Sequence, residues 1–150
     1  MATVKQVVGT LTSLTVTGFS TLASGTYVAS AVYNNTTNAP LDLMVEVTAA
    51  TTNTPSGNKQ VVVFAQASYD NSNWQSGPTS GTTTTDEPDL TFLGVVPLAT
   101  ASTTERKSFS VASAYGGVLP PYLKIILKND LGVALTSGSA ATAEISSTVA

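Results

Sequence analysis

The sequence predicts an all-β fold, an antiparallel two-sheet sandwich, and three observations predict it. Apolar–polar alternation recurs along the chain, no segment offers a convincing amphipathic helix, and Ser, Thr and Asn supply most of the polarity. Thr is β-branched and suits a pleated surface that is half wet. The clearest alternation is Leu41-Asp42-Leu43-Met44-Val45-Glu46-Val47-Thr48. Leu41, Leu43, Val45 and Val47 fall on one face of a strand, and Asp42, Glu46 and Thr48 on the other. A helix would scatter these carboxylates around its circumference.

The remaining elements follow in order. Residues 26–33 predict an earlier strand, closed by Asn34-Asn35, which tolerate left-handed turn geometry. Residues 59–69 predict a longer one. Its run Val61-Val62-Val63-Phe64 is apolar on both faces, which places it centrally or beneath a partner covering its outer face. Shorter strands are expected at 91–96 and 107–112. Over 122–128, Leu123, Ile125 and Leu127 point inward and Lys124 and Lys128 outward. Asn129-Asp130-Leu131-Gly132 reads as a turn into Val133-Ala134-Leu135, and 141–145 gives the last strand. Turn-rich segments fill 51–58, 70–87 and 116–121. A loop as long as 70–87 inside one domain is usually functional or mobile. About eight strands without helices fit a jelly-roll-like sandwich, with an immunoglobulin-like topology as the alternative that pattern does not separate.

The first 25 residues differ from the rest. Val4-Lys5-Gln6-Val7-Val8-Gly9-Thr10-Leu11 is β-prone but rich in Thr and small residues. Residues 1–25 are expected to form an N-terminal arm or an edge strand, and 26–150 the sandwich domain. Pairing by a chain end builds assemblies through backbone hydrogen bonds, so Val4, Val7, Val8 and Leu11 are candidate partner-binding residues.

Composition narrows the chemistry. At 150 residues the chain is one domain, long enough to bury a core without staples. Charged residues are 10% of it, against about 25% in a typical soluble domain, while 42% hydrophobic residues exclude the signature of disorder. His and Cys are both absent. That removes Ser-His-Asp and Cys-His catalysis, disulfides, and zinc, copper or haem sites built on those residues. No Walker loop, dinucleotide fingerprint or nucleophile elbow is present. The expectation is a non-enzyme with no cofactor. The net charge is −3, and Arg106-Lys107 is the only basic pair, too little for the several phosphate contacts of nucleic-acid binding. No stretch approaches the roughly 18 apolar residues of a membrane span, and the N-terminus lacks the apolar block of a signal peptide. Synthesis in the cytoplasm and use in a soluble assembly are expected.

Three features remain as candidate sites. Asp86-Glu87-Pro88-Asp89 has the oxygen ligands a calcium ion wants, but no glycine-punctuated ligand loop surrounds it, so a solvated acidic turn is the favoured reading. A glycosidase carboxylate pair would call for an aromatic-lined cleft, and the chain has one Trp. That residue, Trp74, either stacks on a sugar or partner from its loop or folds back to cap the end of the sandwich; the cap is favoured. Arg106, beside Glu105, is a candidate for meeting an acidic patch on a partner, although such charges are more often a solvated strand end.

Ser68-Tyr69-Asp70-Asn71-Ser72-Asn73-Trp74 resembles the "S-x-D-G-x-N-W" turn of β-sandwich modules, including small virion proteins of tailed phages. Leu93-Gly94-Val95-Val96, Arg106-Lys107-Ser108-Phe109, Leu119-Pro120-Pro121-Tyr122-Leu123-Lys124-Ile125 and Asn129-Asp130-Leu131-Gly132-Val133-Ala134-Leu135 follow in order. This succession, over 27–145, is similar to that of a family of phage structural proteins. Asn71 stands where glycine is usual, and Asn adopts the same positive-φ turn. The resemblance implies a capsid decoration or cement protein located in the virion. Its partners would be the major capsid protein or other virion proteins, and it would act as a small homo-oligomer, a trimer on a three-fold position. It implies no catalytic residues. A neck or tail protein, and a carbohydrate-binding module using Trp74 and Tyr69, are the alternatives.

Overall fold

The computed structural model describes residues 3–149. Its elements, in chain order, are β1 (Val4–Val8), β2 (Thr12–Leu14), β3 (Tyr27–Ala29), β4 (Tyr33–Asn34), β5 (Asp42–Ala50), β6 (Gln60–Ser68), β7 (Ser80–Gly81), β8 (Thr91–Pro97), β9 (Thr104–Ser110), α1 (Val111–Ala114), β10 (Tyr122–Asp130) and β11 (Ser137–Val149). The alternation of β5 becomes an alternation of burial. Leu43, Val45, Val47 and Ala49 are fully buried, and the residues between them are half-buried. Leu41 falls just outside the strand and is exposed.

All pairings are antiparallel and make two sheets. One runs β1–β11–β5–β9, with β2 continuing β1 along β11. The other runs β7–β3–β10–β6–β8, with β4 continuing β3 along β10. When each interrupted edge strand counts once and the two-residue β7 is set aside, each sheet has four strands. Successive strands then change sheets at every connection except β6 to β8. That is the jelly-roll order; an immunoglobulin sandwich keeps its first two strands in one sheet.

The inner faces interlock. Leu43, Val45, Val47 and Phe109 from one sheet meet Val61, Val63, Val96, Leu123, Ile125 and Leu127 from the other. Gly94 sits at a bulge in the β6–β8 pairing with φ +153°. A Cβ there would lie 2.6 Å from the Phe109 ring, so no other residue fits without displacing the core.

The loop between β6 and β8 covers the outer face of the second sheet. It leaves Ser68, pairs as β7 with Tyr27 and Val28 at the far edge, and returns through Leu90. Beneath it Tyr27, Val62, Phe64, Leu90 and Ile126 form a second small core. The run Val61–Phe64 is therefore apolar on both sides because both sides are covered.

Local side-chain bonds explain where the elements depart from the sequence expectations. The strand expected over 26–33 breaks into β3 and β4. The Ser30 Oγ accepts the Ile125 N–H at 2.9 Å and the Ala31 N–H donates to Thr15 O at 2.8 Å, which diverts the edge strand toward β2. The strand expected over 107–112 starts earlier and ends in the one-turn helix α1. Asp42 accepts from the Ser110 hydroxyl at 2.6 Å and the Ala112 N–H at 2.8 Å, and Ser110 Oγ caps the Ser113 N–H at 3.2 Å. Val133-Ala134-Leu135 is not a strand. Asn129 donates to Leu22 O at 2.7 Å and Val133 O at 2.8 Å and accepts from Leu131 N–H at 2.9 Å, holding the segment as a wide turn. The last strand is 13 residues long rather than the five expected.

Candidate functional site

The two ends of the chain form one feature. β1 pairs with β11 in the register Val4↔Val149, Val7↔Ser146 and Val8↔Ile145. β5 follows β11 only as far as Asp42↔Ile145, so 4–7 and 146–149 pair with each other alone, as a two-stranded ribbon projecting from the sheet. Directly paired residues share a face, which puts the apolar pairs Val4–Val149 and Val8–Ile145 in one stripe, with the polar pair Gln6–Ser147 between them. Ile145 lies opposite Asp42, whose neighbour Leu43 points into the core, so the stripe faces away from the sandwich. Val4 is 67%, Val8 68% and Val149 73% exposed. Val7 lies on the opposite face with Lys5, also exposed.

Between β1 and β2 the register slips by one residue, from Val8↔Ile145 to Thr12↔Thr142. This bulge places Gly9 against the Glu144 backbone and turns Leu11 out to solvent. Residues 4–14 are thus edge strands of this chain's own sheet, with an apolar stripe left open. Behind β2, Glu144 accepts from the Tyr33 hydroxyl at 2.6 Å and from Asn38 at 3.0 Å. Those two donors hold its carboxyl below the usual range.

Arg106 lies on the opposite edge strand of the same sheet, β9, paired with Thr48. Its Nε is 3.6 Å from Glu46, and its side chain is largely exposed. The sheet's width and six residues of register along β5 separate it from Val8, so Arg106 and the stripe do not make one site.

Trp74 belongs to the other sheet. The turn that carries it is organised by Asp70, which accepts from the backbone N–H of Asn73 at 2.7 Å, the Asn73 side chain at 2.6 Å and the backbone N–H of Ser72 at 2.8 Å. These donors, the Asn73 backbone first, hold the Asp70 carboxyl far below the ordinary carboxylate range. Asn71 takes φ +61°, the left-handed turn expected of it. Trp74 then bridges Ser68, and the Gln75 N–H donates to Ala67 O at 2.9 Å, extending β6 past its end. Lys124 Nζ lies 4.0 Å from the Trp74 ring centroid, over one face. Trp74 is half-buried. With Tyr69 and Tyr115 it lines an open cleft of about 350 Å³, completed by Ala67, Ser68, Asn73 and Gln75. Tyr115 and Gln75 were not expected there. They come from the end of α1 and from the loop, 40 residues apart, and no local pattern links them.

The acidic stretch forms a short 3-10 turn, Glu87–Asp89, before β8. Glu87 accepts from Lys128 at 2.6 Å and from the Tyr27 hydroxyl. Burial pushes the Glu87 carboxyl up, but Lys128 and Tyr27 outweigh it and hold it below its ordinary value. Its acceptor capacity is thus used to pin the loop onto β10 and β3. Among the described residues no three acidic side chains converge on a metal-sized space, and no helix is long and apolar enough to cross a membrane. Compared with known protein families and curated proteins, the sequence matches no family model and no curated protein.

Proposed function

We propose that this chain is a structural virion protein of a tailed phage that decorates the capsid as a small homo-oligomer, using the terminal ribbon as its assembly surface. The observation that carries this reading is the ribbon itself. A two-stranded ribbon is marginally stable in water by itself, and this one presents Val4, Val8, Ile145 and Val149 on one face away from the core. A neighbouring protein that packs on the stripe, or adds a strand to the free edge of β1, removes both costs at once. Jelly rolls recur in capsid domains, which supports the reading. The weakly charged, Thr- and Ser-rich surface costs less to desolvate against a shell than a Lys- and Glu-rich one.

The test is reconstitution. Phage particles assembled without the protein are incubated with the purified chain and imaged by electron cryomicroscopy. The proposal expects added density at symmetry-related positions on the shell. Density confined to the neck or tail would move the protein to another station, and particles that bind none of it would overturn the reading.

A further inference from the structure

We infer that the cleft between Tyr69, Trp74 and Tyr115 is a binding site for a neutral sugar. This inference stands apart from the virion proposal and uses a different part of the surface.

Three aromatic side chains border one open cleft of about 350 Å³, at the small end of the roughly 300–1,000 Å³ range of ligand pockets. Tyr69 is 79% exposed on a turn, where a large apolar ring gains nothing from the fold. Aromatic rings facing a wet cleft suit a ligand with an apolar C–H face and a hydroxylated rim, which is the chemistry of a pyranose. Of the polar lining residues Asn73 adds an exposed side-chain amide, while the Ser68 hydroxyl is buried against Asp70 and the Gln75 amide is bonded within the fold. No carboxylate or ammonium group lines it, and the one adjacent cation, Lys124, is drawn over the Trp74 ring, so a neutral sugar is the better match. Lys124 covers one face of the Trp74 ring, so the exposed Tyr69 ring is the more open stacking surface. A stacked nucleobase would bring phosphates to a protein of net charge −3 with one basic pair, which disfavours nucleic acid.

The site is also pre-organised. Asp70 fixes the turn through two bonds from backbone N–H groups and one from the Asn73 side chain, all within 2.8 Å. Gln75 accepts from the Ala67 N–H at 3.3 Å and from the Tyr115 hydroxyl at 3.4 Å and donates to Asp89 O, tying turn, β6 and α1 end together. The ordering cost of the loop is met in folding rather than at binding.

The experiment is a glycan array probed with the full chain, carrying neutral glucose-, galactose- and mannose-based oligosaccharides beside sialylated and uronic-acid glycans. Calorimetry on the best-retained neutral oligosaccharide then compares wild type, Tyr69→Phe and Tyr69→Ala. Retention of neutral glycans is expected, with Tyr69→Phe close to wild type and Tyr69→Ala about three- to tenfold weaker, the range of one lost stacking partner. Trp74→Ala should abolish binding, but it risks disturbing the turn; Tyr69 is exposed enough that its removal leaves the fold intact. No retained glycan, retention of acidic glycans only, or equal binding by Tyr69→Ala would each overturn the inference.

Discussion

Lys128 Nζ lies 2.6 Å from Glu87 Oε2, which joins a central strand of the sandwich to the loop that covers it. Both side chains are largely shielded, at 15% and 27% exposure, so water screens the pair less than it would a surface ion pair. The Tyr27 hydroxyl bonds the same carboxylate. Glu87→Gln keeps the shape and removes the charge, leaving Lys128 without its counter-ion. A loss of about 1–3 kcal/mol is expected, the worth of a hydrogen bond to a charged group, read as a lower denaturant midpoint. Hydrogen exchange should accelerate over residues 70–90 and little elsewhere.

The same pair sets an acid dependence. The folded Glu87 carboxyl titrates below its ordinary value of 4.5, and so does Glu144. Groups depressed on folding contribute stability that is fully present above the unfolded value and lost as pH falls through the folded one. Stability should therefore hold from neutral pH to about pH 5 and decline below pH 4.5, with a shallower decline in Glu87→Gln. Urea unfolding midpoints at pH 7, 5 and 3 for both proteins measure this.

Ile126 points out of the sandwich yet is fully buried, because Tyr27, Phe64 and Leu90 close over it. Gly77 makes room for that closure. Its φ is +141°, and a Cβ there would lie 2.3 Å from Leu90. Ile126→Ala should cost about 2–5 kcal/mol, as for an inner-core residue, measured by chemical denaturation. If the loop only filled space above the sheet, the cost would be well below 1 kcal/mol, as for a surface site.

The central strands were legible because their alternation follows from burial on one face. β5, β6 and β10 lie within two residues of where the pattern puts them. The doubly apolar run at Val61–Phe64 announced a strand that is central or covered on its outer face, and Asn71 announced its positive φ; β6 is both central and covered. What stayed hidden depends on partners distant in sequence. The break at Ser30 needs Ile125 and Thr15, α1 needs Asp42, and the cleft needs Tyr115 beside Trp74. β11 was underestimated because Ser, Ala and Thr dominate it and leave no strong alternation. Of the residues singled out as partner-binding, Val4 and Val8 share one face, while Val7, Leu11, Arg106 and Trp74 each lie elsewhere. Ile145 and Val149 complete the stripe, and only the register of β1 on β11 reveals them.

If the terminal ribbon is an assembly surface, it sets the oligomeric state of the full chain, which sedimentation velocity reads. Val4 and Val8 are 67% and 68% exposed, so a Val4→Asp, Val8→Asp double variant should fold as the wild type does, verified by its circular dichroism and thermal midpoint. The wild type should sediment as a homo-oligomer and the double variant as a monomer. A wild type that remains monomeric at high concentration, or an oligomer that the double variant leaves intact, would rule out the ribbon as the assembly surface.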